Sequence, residues 1–177
     1  MTEILFIHGF NGSPTGGSYT LLKERLDPEK YHLHTIDYNP ADPVGTIRNI
    51  RGFCIENHVG LVIGTSLGGF FALCVTNLPR IVHNVCWSPS TELLRLGLPE
   101  QYARIYKVLE DEFLTRRQEG ALVRAVFSTG DELLGDRYRA AFENLFTRPA
   151  LVGGGHRMNE AAADIIVSRL IPELLGR

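Results

Sequence analysis

Short apolar runs alternate with longer helical stretches along most of the sequence. Six runs are predicted to be β-strands because they are apolar throughout or alternate between apolar and polar residues, at positions 4–7, 31–38, 61–63, 81–87, 121–127 and 150–152. The stretches between them predict helices, at 18–26, 42–55, from 70 onward, over most of 89–120, at 136–146 and at 159–170. Strands that alternate with helices indicate an α/β fold, with a mostly parallel sheet flanked by helices.

Local signals sharpen some of these boundaries. Asp42 followed by Pro43 predicts a helix start, because an acidic side chain can cap the first turn and proline suits its first position. Pro172 is expected to interrupt the last helix. All of residues 1–177 are predicted to form one domain, since that length suits a single domain and no repeat or linker divides it.

Composition and charge exclude several classes of protein. With 44% hydrophobic and 21% charged residues, the chain is neither disordered nor a coiled coil. A formal charge of −2 gives it no bulk attraction to nucleic acid or to an anionic membrane. The longest apolar run, residues 70–75, is far shorter than the ~20 residues of a membrane-spanning helix. The first residues do not resemble a signal peptide, and three cysteines cannot all pair, so we expect a cytoplasmic protein with reduced thiols.

Residues 64–68 read G-x-S-x-G and lie between a predicted apolar strand and a predicted helix. A serine on such a tight strand-to-helix turn, a nucleophile elbow, projects its hydroxyl above the sheet, and the flanking glycines permit the crowded backbone. The helix that follows offers unpaired N–H groups to a developing oxyanion. This placement predicts Ser66 as the nucleophile of an α/β-hydrolase fold.

A serine nucleophile needs a base and an acid that orients the base, in the chain order Ser, Asp or Glu, His on this fold. His156 is the predicted base because it follows the last predicted strand, whereas His83 comes too early and is interpreted as structural. Asp131 is the predicted acid because it stands at the end of a clear strand; the alternative is that it only caps the following helix. The acids at 110–112 are interpreted as a solvated helix face.

The oxyanion needs two backbone donors. The amide of Leu67, directly after the nucleophile, is the first, and the second is expected from the loop after the first strand. Phe10 is the preferred residue there, with Asn11 as the alternative, while His8 is interpreted as a structural residue of that loop.

Two competing motifs are weaker. Residues 12–18 approach the spacing of a phosphate-binding loop, but Ser18 stands where that motif requires lysine. His32 and His34 share one face of a strand, but no acid or cysteine cluster completes a ligand set in the sequence, so no metal is expected.

Four separated motifs resemble those of the small bacterial YqiA-type esterases, a family of compact α/β-hydrolases: residues 8–14 (HGFNGSP), 64–69 (GTSLGG), 129–134 (TGDELL) and 154–156 (GGH). The resemblance implies the same triad of Ser66, Asp131 and His156, hydrolysis of carboxylic esters or acyl thioesters, and a cytoplasmic bacterial setting. The segment 89–120 matches least; it would lie over the site as a small lid or insert, although most of its apolar residues are expected to pack on the sheet.

The sequence therefore predicts a serine esterase or thioesterase that acts on a small acyl substrate without a cofactor. A binding protein that uses this fold without turnover, and a serine peptidase, are the alternatives.

Overall fold

The computed structural model describes residues 1–114 and 122–176. Its centre is a six-stranded sheet in which every described pairing is parallel. The strands, in their order across the sheet, are β2 (Tyr31–Ile36), β1 (Thr2–Ile7), β3 (Val59–Thr65), β4 (Arg80–His83), β5 (Val123–Ser128) and β6 (Ala150–Val152). The predicted α/β fold and its six strands are confirmed. The fourth strand is shorter than predicted because Asn84 adopts a positive φ of 41° and leaves the extended conformation.

Helices connect these strands and cover both faces of the sheet. Those described are α1 (Gly17–Arg25), α2 (Pro43–Glu56), α3 (Leu67–Leu73), α4 (Pro89–Arg95), α5 (Glu100–Phe113), α6 (Arg137–Leu145), α7 (Glu160–Ile165), a π-helical segment (Ile166–Leu170) and α8 (Ile171–Leu175). The predicted start of α2 is confirmed, since the Asp42 carboxylate accepts a hydrogen bond from the Gly45 amide. The helix predicted from residue 70 already begins at Leu67.

Successive apolar side chains of a strand point to opposite faces of the sheet and pack in two separate apolar cores. Leu5 and Ile7 of β1 pack in a core with residues of α2, α3, α5 and α6. Ile4 and Phe6 point to the opposite face and pack with residues of α1, α7 and the π-helical segment. This arrangement follows from the two-residue period of a strand, and a parallel sheet buried on both faces requires it.

The segment expected to hold a lid forms α4 and α5 in its described part. Tyr106 and Leu109 lie in the core beneath the helices, and the Tyr106 hydroxyl donates to the Pro40 carbonyl. Leu94 and Leu96 are exposed instead. Residues 115–121, the end of the expected lid and the start of the predicted fifth strand, lie outside the described residues.

The expected solvated face at 110–112 is wrong for Glu110. This side chain is buried and accepts hydrogen bonds from both the amide and the hydroxyl of Ser90 in α4. Burial raises the pKa of Glu110 despite those hydrogen bonds. The residue therefore ties α5 to the start of α4.

The last helix does not end before Pro172. A π-helical segment precedes α8, and helical structure continues to Leu175. Proline is tolerated because it lies in the first turn after that segment, where the α-helical hydrogen-bond pattern has already been interrupted.

No helix within residues 1–114 or 122–176 is both long and apolar enough to cross a membrane. Cys54, Cys74 and Cys86 are free and buried.

His83, at the end of β4, is a buried structural histidine. Its Nδ1 lies 3.2 Å from Thr65 Oγ1 and its Nε2 lies 3.5 Å from Ser128 Oγ. Burial lowers the pKa of His83 to about 3, with the nearby charge of His156 as a second cause. The imidazole is therefore neutral at physiological pH, as its structural interpretation requires.

The carboxyl end of β1 meets α3 in direct backbone contact at Gly68. A Cβ atom there would lie 2.2 Å from the carbonyl oxygen of Ile7 and 2.3 Å from that of His8. Any side chain would push the helix away from the strand.

We expect Gly68→Ala to lower the free energy of unfolding by about 3 kcal/mol or more, because the clash is with backbone atoms that cannot rotate aside. Gly52→Ala is the matched control: this glycine also lies inside a helix, but a Cβ atom added there would meet nothing within 4 Å. The control should gain about 0.5–1 kcal/mol from helix propensity. Urea unfolding measures both changes. Equal changes in the free energy of unfolding for the two variants would contradict the close contact of Gly68 with β1.

Stability should also fall as pH drops below His83's unfolded-state pKa. Between pH 6.5 and about 3 the unfolded imidazole binds a proton that the folded one excludes, so acid favours unfolding. The free energy of unfolding of the wild type should fall between pH 6 and 4 more steeply than that of His83→Gln, by on the order of 1 kcal/mol per pH unit. Denaturant titrations at several pH values test this, and parallel pH profiles would refute it.

Candidate active site

Ser66 occupies the sharp turn between β3 and α3. Its backbone has φ 52° and ψ −119°, a combination that few residues other than glycine adopt. The turn is fixed by its own backbone, since the Ser66 amide donates to the His83 carbonyl and its carbonyl accepts from the amides of Gly69 and Cys86. The side chain is partly exposed at the carboxyl edge of the sheet, where the sequence motif predicted it.

Gly64, the first glycine of the motif, is required by the same turn. A Cβ atom at Gly64 would lie 2.2 Å from the Gly68 carbonyl oxygen and 2.7 Å from the Gly69 nitrogen. Together with the contact of Gly68 against β1, this close approach explains why the motif spaces its glycines around the serine.

Asp131 and His156 are in direct contact. The His156 Nδ1 atom lies 3.0 Å from Oδ1 and 2.9 Å from Oδ2 of Asp131. The carboxylate is 2% exposed and the imidazole 11%, so the pair is largely shielded from water. The two residues that the sequence predicted as acid and base are thus brought together from the loops after β5 and β6.

Asp131 has a second role in its own loop. Its Oδ1 accepts hydrogen bonds of 2.9 Å from the amides of Leu133 and Leu134. Asp131 does not cap the following helix, which was the alternative interpretation, because α6 begins at Arg137 and its N-cap residue is Asp136. Asp131 instead closes the turn that it begins.

The charge state of Asp131 follows from these contacts. Burial raises its pKa, but the hydrogen bonds from His156 and from the two turn amides outweigh burial, so the pKa lies below its ordinary value. An ionised carboxylate can only accept, so it selects the imidazole tautomer with the proton on Nδ1 and leaves Nε2 free to accept one.

Ser66 does not complete a hydrogen-bonded triad in this structure. Within the described residues, no hydrogen bond joins its Oγ to His156 Nε2. The two residues are nevertheless linked through neighbouring backbone, because Ser66 binds the His83 carbonyl and the Asn84 side chain binds the His156 carbonyl. Catalytic hydrogen bonds are often long without substrate, so this geometry is compatible with a serine nucleophile.

Asn84 was not singled out by the sequence. Its Nδ2 donates to the carbonyl of His156 at 2.9 Å and to Ser128 Oγ at 3.0 Å, while its Oδ1 accepts from the Ser128 amide at 2.7 Å. This buried amide therefore fixes the His156 loop to the ends of β4 and β5. Its signal in the sequence is slight: a polar residue directly after an apolar strand.

The loop after β1 lies against the turn at Ser66. A Cβ atom at Gly9 would be 3.1 Å from Ser66 Cβ and 3.8 Å from its Oγ. Of the residues that the structure describes, none accepts a hydrogen bond from the amide of Phe10 or of Leu67. Both amides are thus available as donors. Asn11, the alternative to Phe10, follows with a positive φ of 54°.

The side chain of His8 contacts its own loop and the end of the neighbouring strand β2. Its Nε2 lies 3.1 Å from Asp37 Oδ1 and its Nδ1 lies 2.8 Å from the Gly9 carbonyl oxygen. The ring stacks on Tyr38, whose hydroxyl donates to the His8 carbonyl. The structural interpretation of His8 fits these contacts.

His32 and His34 lie elsewhere, near the opposite edge of the sheet. The sequence suggested no acid beside them, but pairing of β1 with β2 places Glu3 against both rings. This cluster holds three potential metal ligands and is separate from the Asp131–His156 pair.

Solved structures of several proteins share this architecture. Est1E from Butyrivibrio proteoclasticus superposes with a TM-score of 0.81 at 17% identity, covering 99% of this chain and 89% of that one. Alpha/beta hydrolase domain-containing protein 10 from mouse gives a TM-score of 0.75 at 17% identity, with 98% and 89% covered. The esterase domain from a Rhodothermus marinus protein gives 0.72 at 16% identity, with 96% and 84% covered. At these identities the likeness establishes the α/β-hydrolase fold alone.

The sequence itself matches one family model over residues 3–160, described as Uncharacterised protein family (UPF0227). This match spans most of the chain and includes all four motifs on which the resemblance to the YqiA-type family was based. The chain belongs to the UPF0227 family.

Proposed function

We propose that the chain is a serine hydrolase that cleaves carboxylic esters or acyl thioesters through a covalent acyl-enzyme on Ser66. The observation that carries the proposal is the shielded Asp131–His156 pair at the sheet edge where Ser66 leaves β3. A nucleophile, a base and an orienting acid, in this chain order and on this fold, are the groups that acyl transfer needs.

In the proposed reaction, His156 Nε2 accepts the proton of Ser66 Oγ while Oγ bonds to the acyl carbon. The carbonyl electron pair moves to oxygen, and the amides of Leu67 and Phe10 donate to that oxyanion. Asp131 stabilises the imidazolium. Collapse expels the alcohol or thiol, which takes the proton from His156. Water then attacks the acyl-enzyme by the same steps and releases the carboxylic acid. The reaction needs no metal or organic cofactor.

The proposal requires one contact to form that the described structure lacks, between Ser66 Oγ and His156 Nε2. Asn84 fixes the backbone of the His156 loop and Asp131 fixes the ring, so the base is held before the nucleophile engages it. We expect the serine hydroxyl to complete the contact when an acyl group occupies the site.

Substrates of two kinds fit this chemistry. One structure of the similar protein Est1E has ferulic acid bound, and a further protein of the same fold, at 11% identity and a TM-score of 0.67, is the thioesterase domain from the curacin biosynthetic pathway. A small carboxylic ester and an acyl thioester are therefore the substrates to test.

The setting of the enzyme is part of the proposal. We expect the 1–177 chain to act as one cytoplasmic domain, with a small lid or insert within residues 89–120. Leu94 of α4 and Leu96, which directly follows this helix, are exposed and support an apolar lid surface. The three free cysteines are compatible with a reducing compartment.

Two alternatives remain as outcomes of the tests. A non-catalytic interaction protein is favoured by the missing hydrogen bond at Ser66, and a serine peptidase would use the same three residues. Relative rates on an ester and on the matched amide separate the peptidase from the esterase.

Hydrolysis of p-nitrophenyl butyrate and labelling by a fluorophosphonate should both depend on Ser66. Ser66→Ala should lower kcat by about 10⁴-fold or more and abolish labelling. Asp131→Asn should lower kcat by roughly 10⁴-fold, because it permits the wrong imidazole tautomer. Ser18→Ala removes a hydroxyl outside the site and is the control with unchanged rate.

Labelling at Ser66 without ester turnover would indicate a working nucleophile and direct the search to thioesters and longer acyl chains. If the wild type neither labels nor turns over any of these substrates, the hydrolase proposal is wrong and the binding-protein alternative replaces it.

The backbone conformation of Ser66 is expected to be strained and to lower the free energy of unfolding. At φ 52° and ψ −119° a residue with a side chain is strained by about 1–3 kcal/mol, whereas glycine is not. Allowing for the greater unfolded-state entropy of glycine, Ser66→Gly should be more stable than Ser66→Ala by about 1 kcal/mol. Both variants lack the hydroxyl, so urea unfolding compares the backbone strain of alanine with the unfolded-state entropy of glycine; a more stable alanine variant would show that the strain is smaller than this entropy difference.

A further inference from the structure

Three potential metal ligands meet on the two adjacent strands at one edge of the sheet. Glu3 of β1 is the register partner of His32 of β2, and His34 lies two residues farther along the same face. Paired residues of parallel strands project to one side of the sheet, as do residues two apart on one strand. The arrangement is therefore fixed by backbone pairing and not by flexible side chains alone.

The distances suit a small cation. Glu3 Oε2 lies 2.9 Å from His32 Nδ1 and 2.6 Å from His34 Nε2, and the three ligand atoms all lie within 4.8 Å of one another. Zinc binds nitrogen and oxygen at about 2.0–2.2 Å, so two ligands of a tetrahedral ion are about 3.4 Å apart. Movements of a few tenths of an ångström to about 1 Å at the side-chain ends would seat an ion between the three atoms.

The imidazole protons of His32 and His34 can move between ring nitrogens, so that both rings can bind an ion and still be neutral. Each neutral imidazole carries one N–H, which faces the carboxylate when a hydrogen bond forms. An ion needs the lone pair of that nitrogen instead, so the proton moves to the other ring nitrogen. The second nitrogen of His32 keeps this proton and can donate it in a hydrogen bond to water, since this side chain is 57% exposed. The histidines then remain neutral, as metal ligation requires.

The surroundings both hold the ligands and leave one side open. The His34 ring is 19% exposed and packs edge-on against Phe53 of α2, with 5.5 Å between the ring centroids. Glu3 is 25% exposed, so water can reach the cluster and fill a remaining coordination position. Two histidines and one carboxylate with an open position form a common set for zinc and for other first-row divalent ions.

We propose that Glu3, His32 and His34 bind a divalent transition-metal ion, with Zn²⁺ as the ion to test first. The site lies at the amino end of β1, five residues from the loop that contacts Ser66, a separation of about 17 Å along the strand. The ion takes no part in the proposed ester hydrolysis, and it links the edge strand β2 to β1. The inference is independent of the proposed function.

Calorimetric titration of tag-free, chelator-treated full-length protein with Zn²⁺ tests the site. One ion should bind per chain, and Glu3→Gln, His32→Gln and His34→Gln should each weaken binding by at least about tenfold. Glu24→Gln is the matched control, because Glu24 is an exposed carboxylate on α1, which covers the other face of the sheet. Its affinity should equal that of the wild type.

A second measurement on the wild type alone avoids any dependence on variant folding. Zn²⁺ should shift the imidazole nitrogen resonances of His32 and His34 and leave those of His83 and His156 in place. At a hundredfold excess over Kd it should raise Tm by about 5–10 °C. The proposal is overturned if the wild type binds no Zn²⁺, if the three substitutions leave affinity unchanged, or if the shifts appear at His156.

Discussion

The backbone contact between the end of β1 and the start of α3 governs the geometry of the site. Gly68 lies so close to the carbonyls of Ile7 and His8 that no side chain fits between them. This contact sets how far α3 stands from the sheet, and thereby holds Ser66 in its sharp turn and brings the Gly9 loop against it. The proposed nucleophile and the candidate oxyanion donors are thus brought together in part by this steric constraint.

A different interaction, made of polar groups, positions His156, the proposed base. Asn84 joins the His156 loop to the ends of two strands, and Asp131 holds the imidazole from the other side. These groups are buried, where an unpaired amide or carboxylate would be costly, so their mutual satisfaction fixes a single arrangement. Steric contact orients one half of the site and hydrogen bonding the other.

The sequence predicted the features that depend on local pattern. Alternating apolar runs indicated the strands, and the motifs around Asp131 and His156 identified two residues that the structure brings into contact. The sequence did not predict contacts in which the partner residue comes from a distant segment. Glu110 looked exposed on its own helix but is covered by α4, and Glu3 reaches two histidines only through the β1–β2 register. Such pairings are properties of the assembled fold that no short window of sequence contains.

The double use of one carboxylate has a mechanical consequence. Asp131 Oδ1 receives the amides of Leu133 and Leu134 and also contacts the imidazole of His156. The turn and the ring are therefore tied to the same carboxylate oxygen, so a shift of the loop after β5 would change the orientation of the His156 ring. Remodelling that surface loop would alter the proposed proton transfer without replacing any of the three residues proposed to carry it out.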